Sequence, residues 1–494
     1  MARRRSRGAL GAEADGGGFA RGAAVMLTAT IAGQGAILLS LPILTRLYST
    51  EAVGLQALYL SWASNITVLA TLRLDLAVVI ARTEDDASHL ARMILLQTGV
   101  LVSAAVLVIA VFGDEIAHAL GTSSAGWLWL IAPMIACTAL VLLGSAFATR
   151  NRQFGRLAAL NVSTSVGFVL FAGCMAIFPG NPDGMVIARL ASQALGALLV
   201  LSLGLAAWIT VHLPVSIVRW RELYFENRQF LYFNTPYSFI SAIVLDMPLY
   251  VLAARHSPAV AAQYGLAKTL LIAPTTFLSA ALSQVYYKEV VDGRGSASLE
   301  NLTQRLLSFG LLLTSIPFLM VGVWGEFVFT KLFGSDWAPA GHFAQLLAPA
   351  MWICAQTGWI QRAFEAGRMQ RLSFGIQITF DGVVLATVLG SSARHASPYL
   401  TIGAYSALFL CNSACYIVAA SYAAQLRWQK SAVILVCSVG AWFALLALIL
   451  AGRVLLGNSL MVFVSVALVC PWIWLTARSA RIWARDGVLS IARG

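Results

Sequence analysis

Charge is scarce in this chain. Of 494 residues, 11% are Asp, Glu, Lys or Arg while 59% are hydrophobic, and the mean hydropathy is +0.79. A soluble chain carries about 25% charged residues, so one or two ordinary globular domains are excluded. Long polar stretches are also lacking, which leaves no segment to fold as a separate catalytic domain. There is no GxxxxGK[ST] run, so the chain does not hydrolyse ATP by itself. The six histidines fall mostly in loops without metal-ligand spacing, and no Ser/His/Asp or Cys/His set is present. The seven cysteines (Cys137, Cys174, Cys354, Cys411, Cys415, Cys437 and Cys470) lie in apolar runs with no CxxC pair, and read as small buried apolar residues. No large loop faces the outside, which argues against a membrane polymerase or glycosyltransferase working there. The expectation is a protein that is not an enzyme and needs no cofactor.

What the chain has instead is a series of apolar runs. About 20 apolar residues cross a ~30 Å hydrocarbon core as a helix. Runs at 24–45, 52–80, 91–112, 126–148, 157–178, 185–210, 232–254, 261–286, 304–325, 340–362, 373–391, 399–424, 431–451 and 458–477 are rich in Leu, Ala and Val without period-2 alternation. Helices are therefore expected over barrel strands. The fold class is an all-α polytopic membrane protein with about 14 transmembrane helices.

The positive charges set its orientation. Of the 33 Lys and Arg, five sit in loops of one face (Arg46, Arg255, Lys331, Arg394 and Arg453) and three within spans (Arg73, Arg189 and Lys268). All the others fall on the opposite face, loop after loop, which predicts cytoplasmic termini. Scattered in this way, the arginines form no nucleic-acid-binding face. The polar stretch 1–22 opens with Arg3, Arg4, Arg5 and Arg7 but is not followed by a signal-peptide core, and is expected to be a disordered cytoplasmic tail. The longest internal loop, 211–231, interleaves Trp220, Tyr224 and Phe225 with Arg219, Arg221 and Arg228, the pattern of an amphipathic helix at the cytoplasmic interface. The expected organisation is a tail (1–22), a six-helix bundle (23–210), this linker (211–231), a second six-helix bundle (232–425), two further helices (426–477) and a basic cytoplasmic tail (478–494).

Ionisable groups at membrane depth are costly and point to function or to pairing. Arg73 and Asp75 lie two apart in the second span, so they do not face one another, and each needs a partner on another helix or in water. That span, drawn as 52–80, would be ~43 Å long at ~1.5 Å per residue; either it tilts or Arg73 snorkels to the cytoplasmic headgroups. Asp246 in the seventh span and Lys268 in the eighth could pair, since the two spans are antiparallel neighbours. Asp381 sits in the middle of the eleventh span and is a candidate protonatable group. Arg189 lies near the outer end of the sixth. Asn65, Gln377 and Asn412 are among the residues that add hydrogen-bonding capacity. Eight prolines fall within spans (Pro42, Pro133, Pro236, Pro248, Pro274, Pro317, Pro349 and Pro471), a density in keeping with the bent helices of secondary transporters.

Four stretches resemble the Wzx-type polysaccharide flippases of the multidrug/oligosaccharidyl-lipid/polysaccharide exporter superfamily. SLPILTRLYSTEAVGLQAL (40–58) is similar to that family's first-helix exit, through Pro42, Arg46, Glu51 and Gly54. ATLRLDLAVVIARTEDDA (70–87) is similar to its Arg-x-acid end of the second span, at Arg73 and Asp75, although Glu is more usual at the latter position. AAQYGLAKTLLIAPTTFLSAALSQVYYKE (261–289) and KLFGSDWAPAGHFAQLLAPA (331–350) resemble two segments of the second half. The resemblance implies two six-helix bundles around a central cavity, with the last pair of helices as an extension of the usual twelve. It implies a lipid-linked oligosaccharide, an undecaprenyl-pyrophosphate sugar, flipped across a bacterial inner membrane by alternating access. Beyond that cargo and membrane lipids, a polysaccharide polymerase and a chain-length regulator are candidate partners. Arg46, Arg73 and Lys268 are the candidate pyrophosphate-binding cations, since phosphate calls for cationic donors. Asp75, Asp246 and Asp381 are candidates for a coupling proton or for ion pairs. A drug or metabolite antiporter of the same superfamily and a non-transporting scaffold for polysaccharide assembly are the alternatives.

Overall fold

The computed structural model describes residues 25–26, 28–122, 125–178, 183–202 and 216–486. The tail expected at 1–22, the end of the sixth span (203–210), the start of the linker (211–215) and the last residues of the C-terminal tail (487–494) lie outside the described residues. Among the described residues all regular structure is helical: α1 (Thr28–Leu47), α2 (Thr50–Thr71), α3 (Leu74–Ile80), α4 (Glu84–Ala119), α5 (Ile131–Arg150), α6 (Phe154–Met175), α7 (Gly184–Val200), α8 (Ile217–Glu226), α9 (Thr235–Arg255), α10 (Pro258–Gly293), α11 (Ala297–Phe333), α12 (Ala338–Cys354), α13 (Gln370–Ala393), α14 (Pro398–Ala423), α15 (Trp428–Leu456) and α16 (Asn458–Asp486). Among the described residues eleven helices are long and apolar enough to cross a membrane, and Gly184–Val200 is a shorter apolar helix. The chain is a multi-pass membrane protein.

Helix starts follow local chemistry. Ser49, Thr83, Ser216, Ser296 and Ser397 each accept a backbone N–H of the helix that follows. Glu84, Asp85 and Asp86 place negative charge in the first turn of α4, where the helix dipole favours it. Several helices overrun the expected spans. The run at 91–112 is the apolar middle of a 36-residue helix, because capped polar turns extend it beyond the hydrocarbon at either end.

Two compact units divide inside α10, Met1–Ala262 and Gln263–Gly494. In the first, Leu74, Val78, Leu90, Ile94, Leu143, Phe147, Val200 and Leu223 form one buried cluster. Leu223 brings α8 into it. Arg219 of α8 bonds to Asp86 at 2.6 Å and to Glu222 at 2.8 Å, and Trp220 Nε1 donates to His89 Nδ1 at 3.2 Å. The helix expected in the linker is thus present at 217–226 and docks on the polar start of α4. Helix α9 packs on α2, and the chain just beyond it, at the start of α10, is tightly seated against α2. A Cβ on Gly54 would overlap the Pro258 carbonyl. Gly54→Val is therefore expected to destabilise by about 1–3 kcal/mol, read as a lower midpoint of thermal unfolding in detergent. Gly99→Val, where nothing lies within 4 Å of the added Cβ, should leave the midpoint unchanged.

In the second unit the last two helices pack against α11. Pro317 of α11 has no N–H to offer the carbonyl one turn back. Just before it, the carbonyls of Leu311, Leu312 and Ser315 accept indole N–H groups from Trp352 (2.9 Å), Trp472 (2.7 Å) and Trp442 (3.2 Å). These donors come from α12, α16 and α15, so the C-terminal pair braces this span beside its proline. Arg453 adds a bond to the Val323 carbonyl at 2.6 Å and lies 4.4 Å over the Trp324 ring.

Two expectations are corrected. The second span is not one helix: α2 stops at Thr71, and Leu72 and Arg73 take left-handed conformations (φ 47° and 55°) before α3 begins. All seven cysteines are free, but Cys174, Cys411, Cys415, Cys437 and Cys470 are exposed rather than buried. In a bilayer the outer face of a bundle is as apolar as its core, so apolar character does not report burial.

Candidate functional site

The break in the second span is where backbone and charge coincide. Two successive non-glycine residues with positive φ are uncommon and cost of order 1–3 kcal/mol each. Leu74, fully buried, anchors the chain after the turn. Arg150 holds the far end of α3, with Nη1 donating to the carbonyls of Ala81 (2.5 Å) and Val78 (3.3 Å) and Nε reaching Glu84 at 3.3 Å. The short helix is thus clamped as a separate piece beside the break.

Within the break, Arg73 is half-buried and its Nε donates to Ser238 Oγ on α9 at 3.3 Å. Ser238 in turn donates to Asn234 Oδ1 at 3.1 Å, in the π-helical turn Phe230–Asn234 that opens α9. Asp75 occupies the first turn of α3 at 8% exposure, and its Oδ1 is sealed from solvent with no hydrogen-bond partner. The break thus brings an arginine and a buried carboxylate to the adjoining ends of α2 and α3.

Farther along the same α2–α9 seam lies a second polar group. Asn65 Nδ2 donates to Tyr250 Oη at 2.8 Å, Tyr250 Oη lies 2.5 Å from Ser61 Oγ, and Ser61 bonds to Asp246. The proton directions follow. Ser61 has one proton and gives it to the Asp246 carboxylate, so Tyr250, which accepts from Asn65, donates to Ser61. Trp62 covers Tyr250 with ring centroids 5.1 Å apart. Ser238 and Asp246 are eight residues apart on α9, ~12 Å along its axis. The seam therefore bears a cation at one level and a carboxylate at another.

The remaining candidates are placed as follows. Arg46 is exposed at the end of α1. Arg189 lies 5.0 Å over the Phe168 ring with its Nε buried and without a hydrogen-bond partner. In the second unit, Lys268 is half-buried on α10, one turn beyond the fully buried Tyr264. Asp381 is half-buried on α13 and accepts from Gln377 Nε2 at 3.4 Å. No group of three or more metal-ligating side chains occurs among the described residues. Ser61, Tyr250, Ser238 and Arg150 were not singled out from sequence. Ser61 and Tyr250 look like ordinary span residues until α2 and α9 are paired, and Arg150 looks like one more cytoplasmic-loop cation.

Comparison with known proteins places the chain in a family. The fold matches the lipid II flippase MurJ in its inward closed conformation with a TM-score of 0.68, at 12% identity, covering 94% of this chain and 99% of that one. A MOP superfamily transporter from Pyrococcus furiosus matches with a TM-score of 0.53, at 12% identity over 86% of this chain and 95% of that one. A mutant MATE transporter of Vibrio cholerae matches at 0.52, with 14% identity over 83% and 95%. The fold is therefore that of MOP-superfamily transporters. No curated protein matches the chain in sequence. A family profile described as polysaccharide biosynthesis protein matches residues 19–287, more than half of the chain, and the chain belongs to the polysaccharide biosynthesis protein family.

Proposed function

We propose that the protein is a flippase that moves an undecaprenyl-pyrophosphate-linked oligosaccharide repeat from the cytoplasmic to the outer leaflet of the bacterial inner membrane. The repeat would feed O-antigen, capsule or exopolysaccharide export. The observation that carries this reading is the broken second span, which holds Arg73 beside a buried carboxylate in a chain of this family. A pyrophosphate needs cationic donors at membrane depth, and a guanidinium supplies a planar fork of them. Arg46 and Lys268 are the further cations proposed to meet the headgroup as it enters and leaves. Fourteen spans, two six-helix bundles, cytoplasmic termini and alternating access complete the proposal. Asp75, Asp246 and Asp381 are the candidates for coupling to a proton, and polymerase and chain-length regulator are the proposed partners.

A cation-coupled antiporter of the same superfamily is the second reading, favoured by the Asp246 cluster. One experiment separates the two. In cells depleted of the protein, lipid-linked sugar repeats should accumulate in the cytoplasmic leaflet, and the purified protein in vesicles should expose a labelled undecaprenyl-pyrophosphoryl sugar to an outside quencher. No accumulation, together with new sensitivity to cationic compounds, would replace the flippase by the antiporter.

A further inference from the structure

Helix α3 is seven residues long, too short to hold as a helix by itself. Its place is set by what fixes its two ends, all of it within the first unit. At its start the chain leaves α2 through Leu72 and Arg73, both left-handed. Neither is glycine, so the turn is strained, and a departure from it at either residue redirects the chain that follows. The groups redirected first are Arg73 and Asp75, the arginine and the sealed carboxylate of the candidate site. At the other end, the carbonyls that close a helix have no N–H of a further turn to accept. Those of Val78 and Ala81 accept instead from a single nitrogen, Nη1 of Arg150 in the last turn of α5, at 3.3 Å and 2.5 Å. The Arg150 side chain is 12% exposed, whereas Glu84, which its Nε reaches at 3.3 Å, is 63% exposed. The ion pair is therefore a screened surface contact, and the two carbonyl bonds carry the hold.

We propose that Arg150 is a positioning residue for the Arg73–Asp75 site. It acts through the backbone of α3. By fixing the far end of that short helix it keeps the strained turn closed, and so sets the direction in which Arg73 and Asp75 point. Released from Arg150, Leu72 and Arg73 can leave the left-handed region, and α3 shifts with both side chains. A guanidinium suits the task, because its rigid plane of donors meets two carbonyls and a carboxylate at once, which a single ammonium does not. The cargo role of Arg73 rests on the flippase reading, whereas the hold on α3 is geometric and does not depend on it.

The test uses the full chain in nanodiscs, with amide hydrogen exchange followed by mass spectrometry. In Arg150→Ala, exchange over 74–81 should quicken at least ~10-fold, as the loss of two charge-assisted bonds warrants, while 154–175 and 184–200 keep their wild-type rates. Arg150→Lys should fall between, at ~3-fold, since one ammonium reaches one carbonyl. Glu84→Gln should stay within ~2-fold of the wild type, because that pair is exposed. Adding Leu72→Gly to Arg150→Ala removes the strain that the clamp opposes, and should bring exchange back to within ~3-fold of the wild type. Arg73 is read directly by its rate of modification with phenylglyoxal, located by peptide mass spectrometry. That rate should change at least ~3-fold in Arg150→Ala and return in the double variant, as relief of the left-handed strain warrants. In vesicles the KM for cargo, which does not depend on how much protein is folded, should rise and fall with it. Faster exchange spread evenly over 154–175 and 184–200 would make Arg150 a general stabiliser and overturn the proposal. So would unchanged exchange in α3, an unchanged labelling rate at Arg73, or an effect of Glu84→Gln as large as that of Arg150→Ala. The exchange and labelling arms use no cargo. An unchanged KM beside a changed labelling rate would therefore leave the clamp standing and remove Arg73 from cargo binding.

Discussion

Replacing Arg73 by Ala is expected to reduce flipping at least ~10-fold, and to the limit of detection if both terminal nitrogens meet the pyrophosphate, while the protein still inserts. A hydrogen bond to a charged group is worth about 1.5–3 kcal/mol, and a bidentate contact doubles the loss. Arg73→Lys should fail nearly as badly. Arg73 Nε is engaged by Ser238 on α9, and only a guanidinium has a second pair of N–H groups to present beyond that tether. Lysine carries one ammonium, which can take the tether or the phosphate but holds neither in a fixed plane. The left-handed backbone at Leu72 and Arg73 adds a second handle. Leu72→Gly relieves strain at that position, so it should keep folding intact and lower transport less than Arg73→Ala does. The measurement is quencher-accessible cargo in vesicles, normalised to inserted protein. Full activity of Arg73→Ala would remove the cation from the mechanism.

Asp246→Asn should flatten the dependence of transport on a proton gradient and slow it by ~10-fold or more. Donors run from Asn65 through Tyr250 and Ser61 to this carboxylate. A proton arriving on the oxygen that accepts from Ser61 turns that acceptor into a donor, and Ser61 and Tyr250 must then reorient. The consequence is mechanical, because Ser61 and Asn65 are on α2 while Asp246 and Tyr250 are on α9. Asparagine can still accept from Ser61 but cannot titrate, so the seam stays in one state. Tyr250→Phe keeps the carboxylate and removes only the relay; it should slow transport while preserving its gradient dependence. Asp381→Asn is the matched comparison in the second unit. The variant that loses gradient dependence identifies the coupling residue, and retention of that dependence in Asp246→Asn would exclude this one.

Some of this was legible in the chain itself. Eleven helices long and apolar enough to cross a membrane fall on expected spans among the described residues, although the second span is broken, because an apolar run of about 20 residues in lipid can satisfy its backbone only as a helix or a closed barrel. The linker helix was visible in its alternation of Trp, Tyr and Phe with Arg, and its docking residues Arg219 and Trp220 fall within that pattern. The family was visible too, since the motifs at Pro42, Arg46, Gly54, Arg73 and Asp75 lie inside the stretch that the family profile matches.

The sequence by itself determined a helical membrane protein of this family and the identity of the rare ionic groups in its spans, because composition and hydropathy act along the chain. The tertiary structure alone decided what those groups meet. Nothing in the run TLRLDL announces that the helix breaks at Leu72, since neither glycine nor proline is there, and the strained turn stands only because Leu74 is buried and Arg150 clamps α3 from elsewhere. Asp246 acquires Ser61, Tyr250 and Asn65 only when α9 packs on α2, more than 180 residues away in sequence. The indoles of Trp442 and Trp472 read as ordinary apolar residues until they reach the carbonyls beside Pro317. In a bilayer both faces of a helix are apolar, so the pattern along the chain does not say which face packs inward. That choice rests on close packing and a few hydrogen bonds between distant residues.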